Sequence, residues 1–445
     1  MIFTKYYFKS PLNNIQKQYY LLHTVLASID VLSDSENEII NKWITCPDIV
    51  PSNEDEQKLY NSLLEKGYIT TTEKDLQLYN QLKEYCQKKH ELLMQEDEIT
   101  VFTLTYQCNF KCPYCFEQKN NSSVSIMTPE MVDKIFEINN NSVKNINFYG
   151  GEPFLPCNYE TIKYIIKKAP TAKYSAITNG YYLDKYIDLL KNVDVNYIQI
   201  TLDGDELIHN QTRILKNNQP TFNVIMQNID TCLNHDIPVK IRMNISDNNL
   251  QSCINLRKQL ANKYCDKPIM FELQPIFQLD ISDRNQLENK IQEEDASLKP
   301  LFSENSLDYN TILYSHSPIM AYLIRNQKTF YPICNNCDAE SCRRFYDADG
   351  NIYSCILSVG NKKAAIGTYY PTYQLKDNSL ITRSIFSIKQ CQQCKLAFLC
   401  GGGCGYAVGK DTGDMNQPNC LNIMNNLTHQ IPTIINEKLA ASMPH

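Results

Sequence analysis

Cys108, Cys112 and Cys115 stand in the run Cys108-Asn-Phe-Lys-Cys112-Pro-Tyr-Cys115-Phe116, directly after the apolar stretch Ile99–Tyr106. Gaps of three and then two residues let one loop point three thiolates into a single small volume. A structural zinc site is closed by four ligands, whereas three thiolates on a four-iron cluster leave one iron open. An open iron can hold a substrate or cofactor, which turns a cluster into a reaction centre. The plainer alternative is three buried or zinc-binding cysteines.

A second group comprises Cys334, Cys337, Cys342, Cys355, Cys391, Cys394, Cys400, Cys404 and Cys420. Within it Cys391-x2-Cys394-x5-Cys400-x3-Cys404 is followed, after fifteen further residues, by Cys420. Upstream, Cys337-x12-Gly350-x4-Cys355 carries its glycine in Asp347-Ala-Asp-Gly350-Asn, a hairpin turn ahead of the strand Ile352–Cys355. A zinc ribbon accounts for Cys391 and Cys394 taken alone. It accounts poorly for the whole array, which can fill eight ligand positions with one thiolate to spare. The other six cysteines, Cys46, Cys86, Cys157, Cys232, Cys253 and Cys265, are scattered singly and read as small buried side chains.

The 445-residue chain is long enough for two or three domains. Its net charge of −6 argues against a broad basic face for nucleic acid. No apolar stretch approaches the length of a bilayer span, and the N-terminus has no signal-peptide pattern. The expected location is cytoplasmic, with no membrane partner, and reducing conditions there exclude a disulfide framework.

Elements that position these groups are legible in the pattern. Residues 1–95 suggest strands at Lys5–Lys9 and Gln18–Leu32 around a turn at Pro11–Asn14, then helices at Glu36–Trp43, Asp55–Lys66 and Glu73–Met94. Ser33 or Ser35 could cap the first helix. From Ile99 strands and helices alternate. Strand candidates are Ile99–Tyr106, Asn145–Tyr149, Lys173–Thr178, Tyr197–Leu202, Val239–Asn244 and Met270–Pro275. Helices are expected at Pro129–Asn139, Tyr159–Lys168, Asp184–Leu190 and Phe222–Asn234. Such alternation builds an α/β parallel sheet with functional loops at the C-terminal strand ends. The polar motifs fall there. Gly150-Gly151-Glu152-Pro153 follows the second strand, Thr178-Asn179-Gly180 ends the third, and Asp203 and Arg213 follow the fourth. Arg242 and Asn244 on the fifth strand and Gln274 on the sixth should face the interior. Residues 280–330 are charged and locally uninformative.

The cysteine loop resembles the cluster-binding loop of the radical S-adenosylmethionine (radical SAM) enzymes. That family has a six-fold (β/α) partial TIM-type barrel, for which six strand candidates are present. The resemblance implies one SAM-binding [4Fe-4S] cluster on Cys108, Cys112 and Cys115. It places SAM against Phe116, Gly150, Gly151, Glu152 and Pro153, with Thr178, Asn179, Asp203, Arg213 and Asn244 as further contacts. Arg213 could meet the SAM carboxylate, a peptide, or only a surface salt bridge. The nine-cysteine array resembles the SPASM domain, which carries two auxiliary four-iron clusters. By that likeness Cys391, Cys394, Cys400 and Cys420 hold one. Cys355 and Cys404 belong to the other, with Cys334, Cys337 and Cys342 competing for the remaining places or leaving an iron open.

The expected layout is an N-terminal winged-helix-like α+β module over 1–95, for leader-peptide recognition or as a simple cap. A partial barrel over 96–300, a bridge over 301–329 and the SPASM domain over 330–445 follow. The activity implied is reductive cleavage of SAM to a 5′-deoxyadenosyl radical. Hydrogen abstraction from a ribosomally made precursor peptide would then yield an oxidative thioether or carbon–carbon crosslink. An electron donor such as flavodoxin or ferredoxin is implied as a partner. Two alternatives remain: an anaerobic sulfatase-maturating enzyme, and a non-enzymatic metal-binding protein. The first expects an aspartate right after the cysteine equivalent to Cys355, where this chain has Ile356, and a start close to the cysteine loop. The second leaves the three-fold cysteine set and its glycine-rich partner unexplained.

Overall fold

The computed structural model describes residues 1–13, 17–95, 99–117, 123–246, 248–275, 319, 330–337, 343–376, 383–412, 414–420, 423–424 and 426–442. Cys342 and most of the bridge over 301–329 lie outside these residues.

The N-terminal unit contains β1 (Ile2–Phe3), β2 (Tyr7–Asn13), β3 (Gln18–His23), β4 (Ile29–Leu32), α1 (Asp34–Ile44), α2 (Glu54–Glu65), β5 (Ile69–Thr70) and α3 (Thr72–Gln95). Strands β2, β3 and β4 form an antiparallel sheet, and β1 pairs with β5. Two expectations shift. The chain does not turn at Pro11; β2 runs through it with a register shift between Pro11 and Asn13, as an edge strand tolerates a missing donor. The stretch Gln18–Leu32 breaks into two strands because the His23 amide donates to the Ser28 carbonyl across a tight turn (2.9 Å). Ser33 and Glu36 cap each other's backbone at the start of α1, which sets the helix entry.

The central unit alternates β6 (Ile99–Thr103), α4 (Pro129–Ile138), β7 (Asn145–Tyr149), α5 (Tyr159–Lys168), β8 (Lys173–Thr178), α6 (Ile187–Leu190), β9 (Asp194–Thr201), α7 (Glu206–Thr212), α8 (Phe222–Asn234), β10 (Val239–Ile245), α9 (Leu250–Lys263) and β11 (Ile269–Pro275). These six strands pair in sequential order, all parallel, as a partial barrel. Alternation along β10 shows how the two faces divide. Val239, Ile241, Met243 and Ile245 are buried in one apolar core with Ile225, Ile229 and Cys232 of α8. Arg242 and Asn244 project from the opposite face, where Arg242 meets Glu272 of β11 (3.5 Å). Each fully buried aliphatic side chain in that core contributes about 1.5–3 kcal/mol.

The C-terminal unit adds β12 (Arg343–Asp347), β13 (Asn351–Tyr353), β14 (Gly367–Thr368), β15 (Gln374–Leu375), α10 (Ala397–Cys400), α11 (Gly405–Thr412) and α12 (Ile431–Ser442). Strand β12 joins β6 in parallel and the remaining three continue as an antiparallel meander, giving a ten-stranded sheet. The hairpin expected at Asp347–Asn351 is present, with Gly350 at φ +86°. Its would-be Cβ lies 2.3 Å from the Tyr370 carbonyl oxygen, so only glycine fits.

The N-terminal sheet is two-faced. Leu21 and Leu32 pack inward on Trp43 and Leu63, while Tyr20 and Leu22 pack on Leu399, Leu427 and Ile431 of the C-terminal unit. The Tyr20 hydroxyl donates to the Leu427 carbonyl, and Thr24 Oγ1 donates to the Lys395 carbonyl. The N-terminal unit is therefore docked on the cysteine-rich one. Among the described residues no helix is long and apolar enough to cross a membrane.

Candidate metal and cofactor site

The cysteine loop leaves β6 and is at once zipped to the loop leaving β7. Gly151 N donates to the Thr105 carbonyl and Glu152 N to the Gln107 carbonyl, each at 2.9 Å. A Cβ on Gly150 would lie 2.3 Å from the Thr105 oxygen, and one on Gly151 would lie 2.5 Å from both the Tyr106 and Gln107 oxygens. The glycine pair thus admits the backbone of the cysteine loop. Gly150 also holds φ +126°. Gly150→Ala is expected to cost at least about 2 kcal/mol through clash and backbone strain. It should lower iron retention by the reconstituted protein, read as iron per chain alongside the thermal midpoint.

Glu152 is fully buried. Its Oε1 accepts from Phe154 N (2.9 Å) and Thr178 Oγ1 (2.6 Å), and its Oε2 accepts from Asn179 N (2.7 Å). Burial pushes its carboxyl pKa up, opposed by those donors and by Arg213. Most of its acceptor capacity ties the β7 loop to the end of β8. Pro153 is buried behind it, its carbonyl accepting from Asn158 Nδ2 (2.9 Å). Thr178 therefore serves Glu152, and Asn179 is aimed at the cysteine loop: its Nδ2 lies 2.8 Å from Asn109 Oδ1 and 3.8 Å from Cys108 Sγ.

On the other side of the loop Arg213 is buried, not a surface ion pair. Its Nη1 donates to the Tyr114 hydroxyl (2.7 Å), which in turn donates to Asp203 Oδ2, and its guanidinium lies 5.7 Å from the centre of the Phe110 ring. Asp203 is also buried; its Oδ1 accepts from Asn244 N (3.4 Å), and Asn249 Nδ2 donates to its carbonyl (3.0 Å). Burial raises the Asp203 carboxyl pKa, with Arg213 opposing. Asp203 and Asn244 accordingly brace Tyr114 and the loop. Phe116 is half-buried where the loop ends, and the next residue, Glu117, is buried. Burial pushes the Glu117 carboxyl up to about 7, against a hydrogen bond from Tyr149.

Tyr114, Asn249 and Glu117 had no sequence signal beyond their place in or near a motif. Arg213 Nε, Asn109 Nδ2 and Glu117 Oε1 are buried polar atoms without a hydrogen-bond partner. Two donors and an acceptor left open around three thiols suit the carboxylate and ammonium ends of an amino-acid-like ligand.

The thiols gather in three sets. Burial pushes the Cys108 thiol up, and its neighbours Glu152, Cys112 and Cys115 add to the rise. Burial pushes Cys391 up to about 12, with Cys400, Cys394 and Cys420 as its charged neighbours. Cys355 likewise rises to about 12, with Cys404 and Cys337 beside it. Among the described residues no three such side chains close tightly enough to hold a single ion.

Cys334 and Cys86 stand apart from these three sets, and Cys86 is not an ordinary free thiol. The two are joined as a disulfide across 248 residues, with Cα atoms 6.0 Å apart. Helix α3 packs Leu82 and Cys86 on Ile385, Ile388 and Phe398, which brings this distant residue to Cys334.

The sequence reading also missed Arg383, 1% exposed. It donates to the carbonyls of Gly402 (2.7 Å), Gly403 (2.7 Å), Met415 (2.8 Å) and Gln417 (3.0 Å). Those of Met415 and Gln417 lie in the segment before Cys420, and those of Gly402 and Gly403 lie in the turn between Cys400 and Cys404. Glycines at 401, 402 and 403, all at positive φ, were its visible trace.

Residues 102–254, from β6 to α9, match the family model of the Radical SAM superfamily. This segment is a radical SAM domain. Such a domain implies a [4Fe-4S] cluster and SAM, and the open donors around Cys108, Cys112 and Cys115 fit them. The radical SAM cyclopropyl synthase TigE of Paramaledivibacter caminithermalis is 24% identical over 410 residues, covering 82% of this chain and 79% of that protein. The GTP 3′,8-cyclase of Clostridium perfringens is 28% identical over 185 residues, covering 39% of this chain and 54% of the cyclase. The chain spans only about a third to a half, 35–54%, of the first curated relatives it matches. Among solved structures, native anSMEcpe with bound AdoMet and Cp18Cys peptide superposes with a TM-score of 0.55 at 18% identity, covering 76% of this chain and 98% of that one. At that identity the likeness concerns the fold.

Proposed function

We propose that this chain is a radical SAM peptide maturase with three [4Fe-4S] clusters. It would abstract a hydrogen from a precursor peptide and install an oxidative crosslink. The observation that carries this reading is the gathering of thiols into three sets, one on the partial barrel and two in the C-terminal unit. Cys108, Cys112 and Cys115 hold the SAM-binding cluster. Cys391, Cys394, Cys400 and Cys420 hold a second, and Cys337, Cys355 and Cys404 a third, with one ligand position left for another donor. The bound cluster and SAM supply a 5′-deoxyadenosyl radical; the rest falls to the chain's own side chains.

Arg213 and Asn109 orient the SAM carboxylate through their open donors. Glu152 keeps the β7 and β8 loops at fixed distance from the cysteine loop. The barrel interior holds a cavity of about 80 Å³ lined in part by Tyr149, Ile177, Phe345 and Ile356.

Ile356 in that cavity weighs against the sulfatase-maturating alternative, because it offers no atom that can take a proton. A peptide substrate is supported by the N-terminal unit docked on the cysteine-rich one, and by a solved structure of the same fold that holds a peptide. The likeness to a cyclopropyl synthase over 82% of this chain supports ring or crosslink formation by hydrogen loss.

The test is co-expression with short peptides encoded beside the gene, read by mass spectrometry. Loss of two hydrogens with a new bond joining two residues, located by fragmentation of the peptide, supports the reading. Conversion of a cysteine or serine to formylglycine favours the sulfatase-maturating alternative. The reconstituted protein is expected to hold about 12 iron atoms per chain, and a preparation loaded only with zinc would sink the assignment.

A further inference from the structure

We infer that Asn179 sets the reduction potential of the cluster on Cys108, Cys112 and Cys115, by donating a hydrogen bond to the Cys108 sulfur. The inference rests on the reading that Cys108 is a ligand of that cluster.

The orientation of the Asn179 amide is determined by its surroundings. Its Oδ1 accepts from the Tyr181 backbone N–H (2.9 Å), a donor that only an oxygen can satisfy. The nitrogen therefore lies on the far side, with two hydrogens and two acceptors in reach: Asn109 Oδ1 at 2.8 Å and Cys108 Sγ at 3.8 Å. Cys108 also receives the Phe110 backbone N–H at 3.4 Å. Of these two donors to Cys108, Asn179 supplies the one that comes from a side chain.

Asn179 cannot swing away cheaply. It is 5% exposed, its backbone N–H is held by Glu152 Oε2 (2.7 Å), and the adjacent Thr178 hydroxyl is held by Glu152 Oε1 (2.6 Å). The buried glutamate of the Gly-Gly-Glu-Pro loop therefore holds the backbone from which the amide is aimed at the sulfur.

Hydrogen bonds to cluster sulfurs stabilise the more negative, reduced state and raise its potential. In a site screened from water each such bond counts for more. One electron from an external low-potential reductant enters the cluster, and the amide proton stays on nitrogen throughout.

The experiment is a redox titration of the reconstituted full-length protein with dithionite, followed by electron paramagnetic resonance, for Asn179→Ala and Asn179→Asp. Asn179→Asp keeps the shape and the acceptor for Tyr181 but removes the donor. Both variants should titrate at more negative potential. At the wild-type midpoint the reduced-to-oxidised ratio of the SAM-responsive cluster should fall at least threefold, a shift of about 28 mV for a one-electron couple. The other clusters serve as internal references and should not move. Unchanged midpoints with the SAM-responsive signal present would overturn the inference. Loss of that signal in both variants would assign Asn179 a structural role only and overturn it equally. Failure of the underlying reading looks different: the wild type itself would lack a signal that SAM perturbs and that Cys108→Ala removes.

Discussion

Replacing Cys108, Cys112 and Cys115 together by alanine is expected to abolish 5′-deoxyadenosine formation from SAM and to lower iron from about 12 to about 8 atoms per chain. The loss should be complete, because no other described thiol stands with this set. Burial and neighbouring charge already hold the Cys108 thiol protonated. Only a bound cation reverses that preference, so partial ligation by two residual thiols has little to stabilise it. Single replacements should approach the triple variant, since each removes one of three bonds to the same cluster. Liquid chromatography of the reaction measures the nucleoside, and iron analysis measures the cluster. Persistent SAM cleavage in the triple variant would remove the loop from its assigned role.

The second large effect is expected at Arg383, far from that loop. Arg383→Met should destabilise the protein by about 3–5 kcal/mol and strip iron from the C-terminal sets, leaving about four iron atoms on the first loop. Four carbonyl oxygens, of Gly402, Gly403, Met415 and Gln417, take their hydrogen bonds from this one guanidinium. Without it they are buried beside an apolar side chain. Gly402 and Gly403 lie in the turn that separates Cys400 of one set from Cys404 of the other, and Met415 and Gln417 lead to Cys420, so both sets lose their spacing together. Arg383→Lys should recover only part, because an ammonium cannot present the same planar fork. Thermal midpoint and iron content check both variants. Wild-type iron content in Arg383→Met would show that the turn holds itself.

The docking of the N-terminal unit changes how its role is best probed. Deleting residues 1–95 would expose Leu399, Leu427 and Ile431, which Tyr20 and Leu22 now cover. Loss of peptide binding after that deletion would mix recognition with collapse of the cysteine-rich unit. Substitutions at exposed positions of the unit separate the two.

Much of the barrel was legible in the chain. The six strands lie within about three residues of their expected places, because each is a short β-branched and aromatic run bounded by a helix-period segment. The cysteine sets were legible as well, since ligand spacing on one loop is a local property. Gly150 and Gly151 were recognised, but their immediate neighbour is the Thr105–Gln107 backbone. Thr178, Asn179 and Asp203, expected near SAM, are engaged with Glu152, the cysteine loop and Tyr114. Glycine marks a close approach without saying to what, and a polar residue at a strand end does not reveal its partner.

What the sequence determined by itself is the chemistry: three thiolates on one loop, a glycine-rich companion, and the paired spacing of the C-terminal cysteines. What the tertiary structure decided is allocation. It paired Cys334 with Cys86, placed Arg383 behind the Gly401–Gly403 turn, seated the N-terminal sheet on the cysteine-rich unit, and turned the Asn179 amide toward Cys108. Ligand sets within a loop depend on separations of a few residues, which a sequence displays directly. Contacts across 248 residues, or between a side-chain amide and a sulfur on another strand, depend on packing and hydrogen-bond direction, which only the folded chain supplies.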